Sequence, residues 1–244
     1  MRNIFRYELR RLLWNKIFFG ILAVTAGWSW ALLTGEVLLG TANTAPFSPW
    51  SFGSYLSRLL PLLCAGELFF LSFFTSGQER RTRVLTQAAP VDPRAYAAVR
   101  CAAVLTGTLL LWLAAVGAYA LFCAVLFGWK DFLSLLPTAL LVLAPPALFC
   151  AGAGWRLGRT GLVCGLMAAV VLLTLLPLPD AFGFALSGFF ASYPKTLGVL
   201  DPPLCVPNGI LLNRAVWTVL GAAAFCVPRR NGPSAAKRPR PAGR

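Results

Sequence analysis

The chain contains no histidine. That excludes Ser-His and Cys-His nucleophiles, imidazole acid–base chemistry and His-ligated metals, and with them rhomboid-type and zinc membrane proteases. Acids are scarce as well, with 8 Asp and Glu in 244 residues. They stand singly, so a membrane enzyme acting on lipids would lack clustered carboxylates or a nucleophile with its base. The seven cysteines (64, 101, 123, 150, 164, 205 and 226) are never within four residues of each other, which spells neither a zinc site nor a redox pair. Six lie in apolar stretches, and Cys205 falls in a predicted outer loop. None of the four lysines (16, 130, 195 and 237) follows a glycine, so no Gly-Lys-Ser/Thr phosphate-binding loop is present. Charge of both signs is only 12% of the chain, about half of ordinary soluble usage.

What fills the sequence is hydrocarbon. Hydrophobic residues make up 58%, with a mean hydropathy of +0.71. A soluble domain of this length cannot hide that excess, and a disordered chain does not carry it. The sequence therefore predicts an all-α membrane protein. Uncharged or nearly uncharged runs long enough to cross about 30 Å of hydrocarbon occur six times. They are 17–39, 59–76, 101–127, 132–154, 160–178 and 209–227. The first carries Glu36, the second Glu67 and the sixth Arg214.

The net charge of +14 follows the same architecture. Of 22 Lys and Arg, 18 fall before the first run, in the loops after the second and fourth, or after the sixth. By the positive-inside rule both termini are cytoplasmic, which requires an even number of spans, and six satisfies it. The basic residues lack the interleaved aromatics of a base-stacking surface, so nucleic acid is not the expected partner. The N-terminal run is too long for a cleavable signal and predicts an uncleaved anchor. Residues 1–16 predict an amphipathic helix in the inner interface, with Phe5, Leu9, Leu12 and Leu13 on its apolar face and Arg2, Arg6 and Arg10 as a basic stripe. Residues 229–244 predict a disordered basic tail attracted to anionic lipid. The stretch 181–193, too short to span, is expected to lie in the interface or re-enter part-way.

Four intramembrane charges stand out: Glu36, Arg58, Glu67 and Arg214. Each needs a partner or neutralisation. Glu36 and Arg58 match in depth near the outer ends of spans one and two. Glu67, at mid-span, reaches Arg214 only through tilt or snorkelling. It is either a structural partner between spans or a proton or substrate group. Pro145-Pro146 in span four predicts a kink and a candidate hinge. Gly154-x-x-x-Gly158 and Gly161-x-x-x-Gly165 permit close helix contacts.

The loop after span two is long and basic. It has helix-forming content from Gln78 to Gln87, then Pro90, Asp92 and Pro93. Glu79, Arg80, Arg81, Thr82, Val84, Leu85, Pro90, Arg94 and Arg100, together with the basic N-terminal segment, resemble the permease subunits of type-2 ABC exporters over residues 1–228. Arg81-Thr82 replaces the family's usual Gly-Thr step, and Arg100 stands where Lys is commoner. The resemblance implies a subunit without chemistry of its own in a bacterial plasma membrane. It implies a homo- or heterodimer of permeases driven by a separate cytosolic ABC ATPase that holds ATP and Mg. It makes Glu79–Gln87 the main ATPase-coupling element and the loop with Arg156 and Arg159 the second. Two alternatives stay open: an ion-coupled secondary transporter using Glu67, and a structural subunit of a membrane complex.

Overall fold

The computed structural model describes residues 2–41, 44–75, 93–157, 162–176 and 183–226. The elements those residues form are all helices, with no β-strand among them. The first helix, α1 (Arg2–Leu13), is followed within three residues by α2 (Lys16–Leu32). Asn15 makes the break between them: its side chain accepts a hydrogen bond from the Ile17 amide at 3.2 Å, satisfying a donor at the new helix start. A wider π turn, Leu33–Val37, extends α2 to its outer end.

The third helix, α3 (Pro49–Thr75), begins on a cap. Ser48 Oγ accepts from the Trp50 amide at 3.3 Å, and Pro49 occupies the first helical position, where its missing N–H costs nothing. The helix therefore starts ten residues before the apolar run 59–76. Arg58, where that run stops, lies inside α3 and is paired with Glu36. The fourth helix, α4 (Pro93–Phe127), likewise starts before its apolar run. Gly128 ends it with φ +64, the left-handed geometry that suits a residue lacking Cβ. Then follow α5 (Leu136–Leu157), α6 (Val163–Leu175), α7 (Ser187–Thr196) and α8 (Asn208–Cys226). Pro145 and Pro146 are both buried within α5, and the helix continues through them.

Five stretches are long and apolar enough to cross a bilayer: Lys16–Val37, Pro49–Phe74, Ala95–Phe127, Phe132–Leu157 and Asn208–Cys226. The molecule is a multi-pass membrane protein. The sixth expected span, 160–178, contains α6, whose 13 residues rise about 20 Å, short of the hydrocarbon thickness.

The centre of the bundle is α3. It touches α2, α4, α5, α6 and α7. Its most apolar window is 61% buried, against 22–39% for the other four long helices. Those four are mostly apolar, with one face on protein. Leu113, Leu121 and Val125 of α4 and Leu212 and Val219 of α8 stay exposed, as lipid-facing residues do. The eighth helix packs on α5 at a point where two glycines meet: a Cβ added to Gly152 would fall 2.3 Å from the Gly221 carbonyl oxygen. Small residues let helix backbones approach where lipid offers no hydrophobic drive for association. Gly154, singled out for helix contact, packs on Leu68 and Leu71 of α3. Gly165 faces open space, and Gly158 and Gly161 lie outside the described residues.

Candidate functional site

Much of the apolar face of α1 is turned toward protein. Leu12 is buried, and Phe5 and Leu13 pack beside it. A Cβ on Gly107 of α4 would meet Leu12 Cδ2 at 2.9 Å. One turn before Leu12, on the same face, sits an acid. Glu8 is only 2% exposed.

A cluster of polar and aromatic groups from three helices surrounds that carboxylate. Tyr96 Oη donates to Glu8 Oε1 at 2.7 Å. Arg100 Nε stands 3.6 Å from the same oxygen, and Arg11 Nη1 stands 3.8 Å from Oε2. Arg100 Nη2 donates to Tyr96 Oη at 2.7 Å, and its Nη1 reaches the Phe74 carbonyl at 3.5 Å. The Arg100 guanidinium also lies over the rings of Tyr96 (4.4 Å) and Phe74 (5.7 Å), while Arg11 covers Phe73 at 5.1 Å. Two cations thus flank one carboxylate, and π faces accept the remaining positive charge.

The placement of this cluster matters more than its chemistry. Phe73 and Phe74 close α3, and Tyr96 opens α4. Two residues of α1, Glu8 toward α4 and Arg11 toward α3, therefore tie together the two helices that flank residues 76–92. Arg100 belonged to the coupling pattern in the sequence. Glu8 did not, although its position on the Leu12 face, the one acid among the first 35 residues, was a usable signal.

The other coupling residues separate as follows. Glu79, Arg80, Arg81, Thr82, Val84, Leu85, Pro90 and Arg159 lie outside the described residues. Arg94 belongs to the first turn of α4. Arg156 stands exposed in the last turn of α5.

The intramembrane charges divide into one pair and two separate sites. Arg58 Nη1 and Glu36 Oε1 form the depth-matched ion pair, with 44% and 37% of their side chains exposed. Arg214 does not reach Glu67. It is 4% exposed, and its Nη1 donates to the Phe184 carbonyl at 3.0 Å. Its Nη2 donates to the carbonyls of Gly183 and Phe184, each at 3.1 Å. Asn213 Nδ2 adds a bond to the Gly183 carbonyl at 3.2 Å. The planar guanidinium fork suits two successive carbonyls of irregular backbone, which must find donors when water is absent. Glu67 is 1% exposed, and its Oε1 has no hydrogen-bond partner among the described residues.

The segment that Arg214 holds leads into α7, the short helix in the stretch expected to re-enter. Phe189 and Phe190 of α7 are buried against α3. Trp50 collects Phe189, Phe190 and Tyr193 at 5.4, 6.0 and 5.8 Å between ring centroids, and its Nε1 donates to the Pro202 carbonyl at 2.8 Å. Cys205 is exposed beyond it. Among the described residues no group of three or more Cys, Asp or Glu is placed to hold a metal ion. No family model, curated protein or solved structure matches the chain.

Proposed function

We propose that this chain is the membrane-spanning permease subunit of an ATP-driven ABC exporter, working as a dimer in a bacterial plasma membrane. Both termini then lie in the cytoplasm, and α6 with its flanking residues makes the sixth crossing. The motif pattern of 79–100 and the absence of a Gly-Lys phosphate loop support a subunit powered from outside, with ATP and Mg on a separate cytosolic ATPase.

The observation that carries this reading is the Glu8 cluster. A surface loop is ordinarily compliant and absorbs a push. Here Phe73–Phe74 and Tyr96–Arg100, the two ends of 76–92, are held to one helix by a carboxylate with two cations. A partner closing on Glu79–Gln87 would move α1, α3 and α4 as a unit, and α3 touches five other helices. Arg156, exposed in the last turn of α5, would supply a second point of contact.

The test is co-purification from the native host in mild detergent, followed by reconstitution. A stoichiometric P-loop ATPase is expected. Alanine at Glu79, Arg80 and Arg81 should leave ATP hydrolysis running while transport stops. A second reading, ion-coupled transport, draws on the buried Glu67, whose Oε1 has no hydrogen-bond partner among the described residues. A chain that purifies alone, transports without nucleotide and loses transport in Glu67→Gln would replace the first reading by the second.

A further inference from the structure

The face of α1 opposite Glu8 is an interaction surface in its own right. Residues two apart on a helix differ by about 200° in direction, so Arg6 and Arg10 point away from Glu8. Arg2, Arg6 and Arg10 are exposed and have no ion pair among the described residues. Tyr7 and Trp14 flank them at 67% and 76% exposure, and the Arg10 guanidinium lies 5.6 Å from the Trp14 ring centroid. Lys16 continues the same charge into the first turn of α2. All five cations of residues 2–16 are exposed, and the only acid among them, Glu8, is withdrawn into the protein.

We infer that this face binds the headgroups of anionic phospholipids. Three observations favour lipid over an acidic protein surface. First, the cations are interleaved with exposed Tyr and Trp, the side chains that settle at the headgroup level because one end is apolar and the other polar. Second, the face is continuous with α2, which enters hydrocarbon directly after Asn15. Third, the apolar side of α1 packs on α4 through buried Leu12, with Phe5 and Leu13 against the core, so the basic side is the one left to meet the surface. Binding then needs no insertion of the helix. It needs charge at the surface, about a fivefold preference for each Arg that meets an anionic headgroup. The inference holds whichever way transport is powered.

The test uses the full chain reconstituted in vesicles of phosphatidylcholine with phosphatidylglycerol, one of the two carrying brominated acyl chains that quench nearby tryptophan. The signal of Trp14 among the eight tryptophans is the difference between wild type and Trp14→Phe. Brominated phosphatidylglycerol should compete for the Trp14 site about fivefold better than brominated phosphatidylcholine. The preference should fall at high salt and vanish in Arg2→Gln/Arg6→Gln/Arg10→Gln, whose exposed side chains are not needed for packing. The same loss of total quenching between wild type and the triple variant gives the answer without Trp14→Phe. Equal competition by the two lipids would overturn the inference. So would the absence of quenching by either lipid, which would assign the face to water or to an acidic protein partner.

Discussion

Replacing Gly152 by alanine tests the packing on which the α5–α8 pair depends. A Cβ there lies 2.3 Å from the Gly221 carbonyl oxygen and 3.1 Å from Ala224 Cβ. The reverse substitution is as crowded, since a Cβ on Gly221 falls 2.5 Å from the Leu148 carbonyl oxygen. Carbon and carbonyl oxygen sit comfortably at about 3.3–3.6 Å, so the two helices must part by about 1 Å. The obstacle is backbone, so no side chain can swing aside. A gap of that size forfeits about a quarter to a half of the dispersion energy of the contacts it opens. Overpacking of this kind costs about 1–3 kcal/mol, and rigid backbone on both sides puts this site at the upper end. Alanine regains about 0.5–1 kcal/mol of helix propensity, leaving a net loss of about 2 kcal/mol. Gly165→Ala is the matched control. It has the same chemistry in a helix, with nothing within 4 Å of the new methyl, and should stabilise by about 0.5–1 kcal/mol. Unfolding of both variants in detergent micelles measures the difference. A Gly152→Ala protein as stable as wild type, or a Gly165→Ala protein equally damaged, would refute the crossing.

Two further outcomes follow from the polar sites. Glu8→Ala removes the shared acid from the largely buried Arg100 and the exposed Arg11. It should cost about 2–3 kcal/mol, while Glu8→Gln, which still accepts from Tyr96, should cost about half as much; unfolding and amide exchange along α1 report both. Arg214→Lys keeps the charge but cannot present a planar fork to two successive carbonyls, so amide protection over 183–196 should fall about tenfold, and unchanged protection would show that Arg214 does not hold that segment.

Composition alone made the class of this protein legible. No soluble surface accommodates 58% hydrophobic residues, and runs of some twenty apolar residues form helices in lipid because their backbone groups must pair internally. The Glu36–Arg58 pair was legible for a related reason. Depth along a span is a one-dimensional quantity, and both charges stand near the same end of adjacent helices. Helix starts were less legible, because hydropathy ends at a charge and a helix need not. Arg58 and Arg100 both lie inside helices, the first paired with a carboxylate and the second covered by rings and an acid.

Tertiary structure alone decided what each helix face meets. Span position cannot say which way a side chain points around an axis, so Arg214 pairs with carbonyls about 30 residues away while Glu67 Oε1 meets no hydrogen-bond partner among the described residues. The same limit applies to the glycines. Gly161-x-x-x-Gly165 has the right spacing for contact, yet Gly165 meets open space, and the close crossing is between Gly152 and Gly221, two isolated positions. It applies most to α1, where periodicity located an apolar face and predicted a helix in the inner interface, but could not say that protein would meet that face. That face packs on α4, taking Glu8 with it, because a carboxylate finds Tyr96 and Arg100 only where the two helices meet. Length, hydropathy and charge are properties of residues in order along the chain. Partners are properties of residues brought together across it, and only packing supplies them.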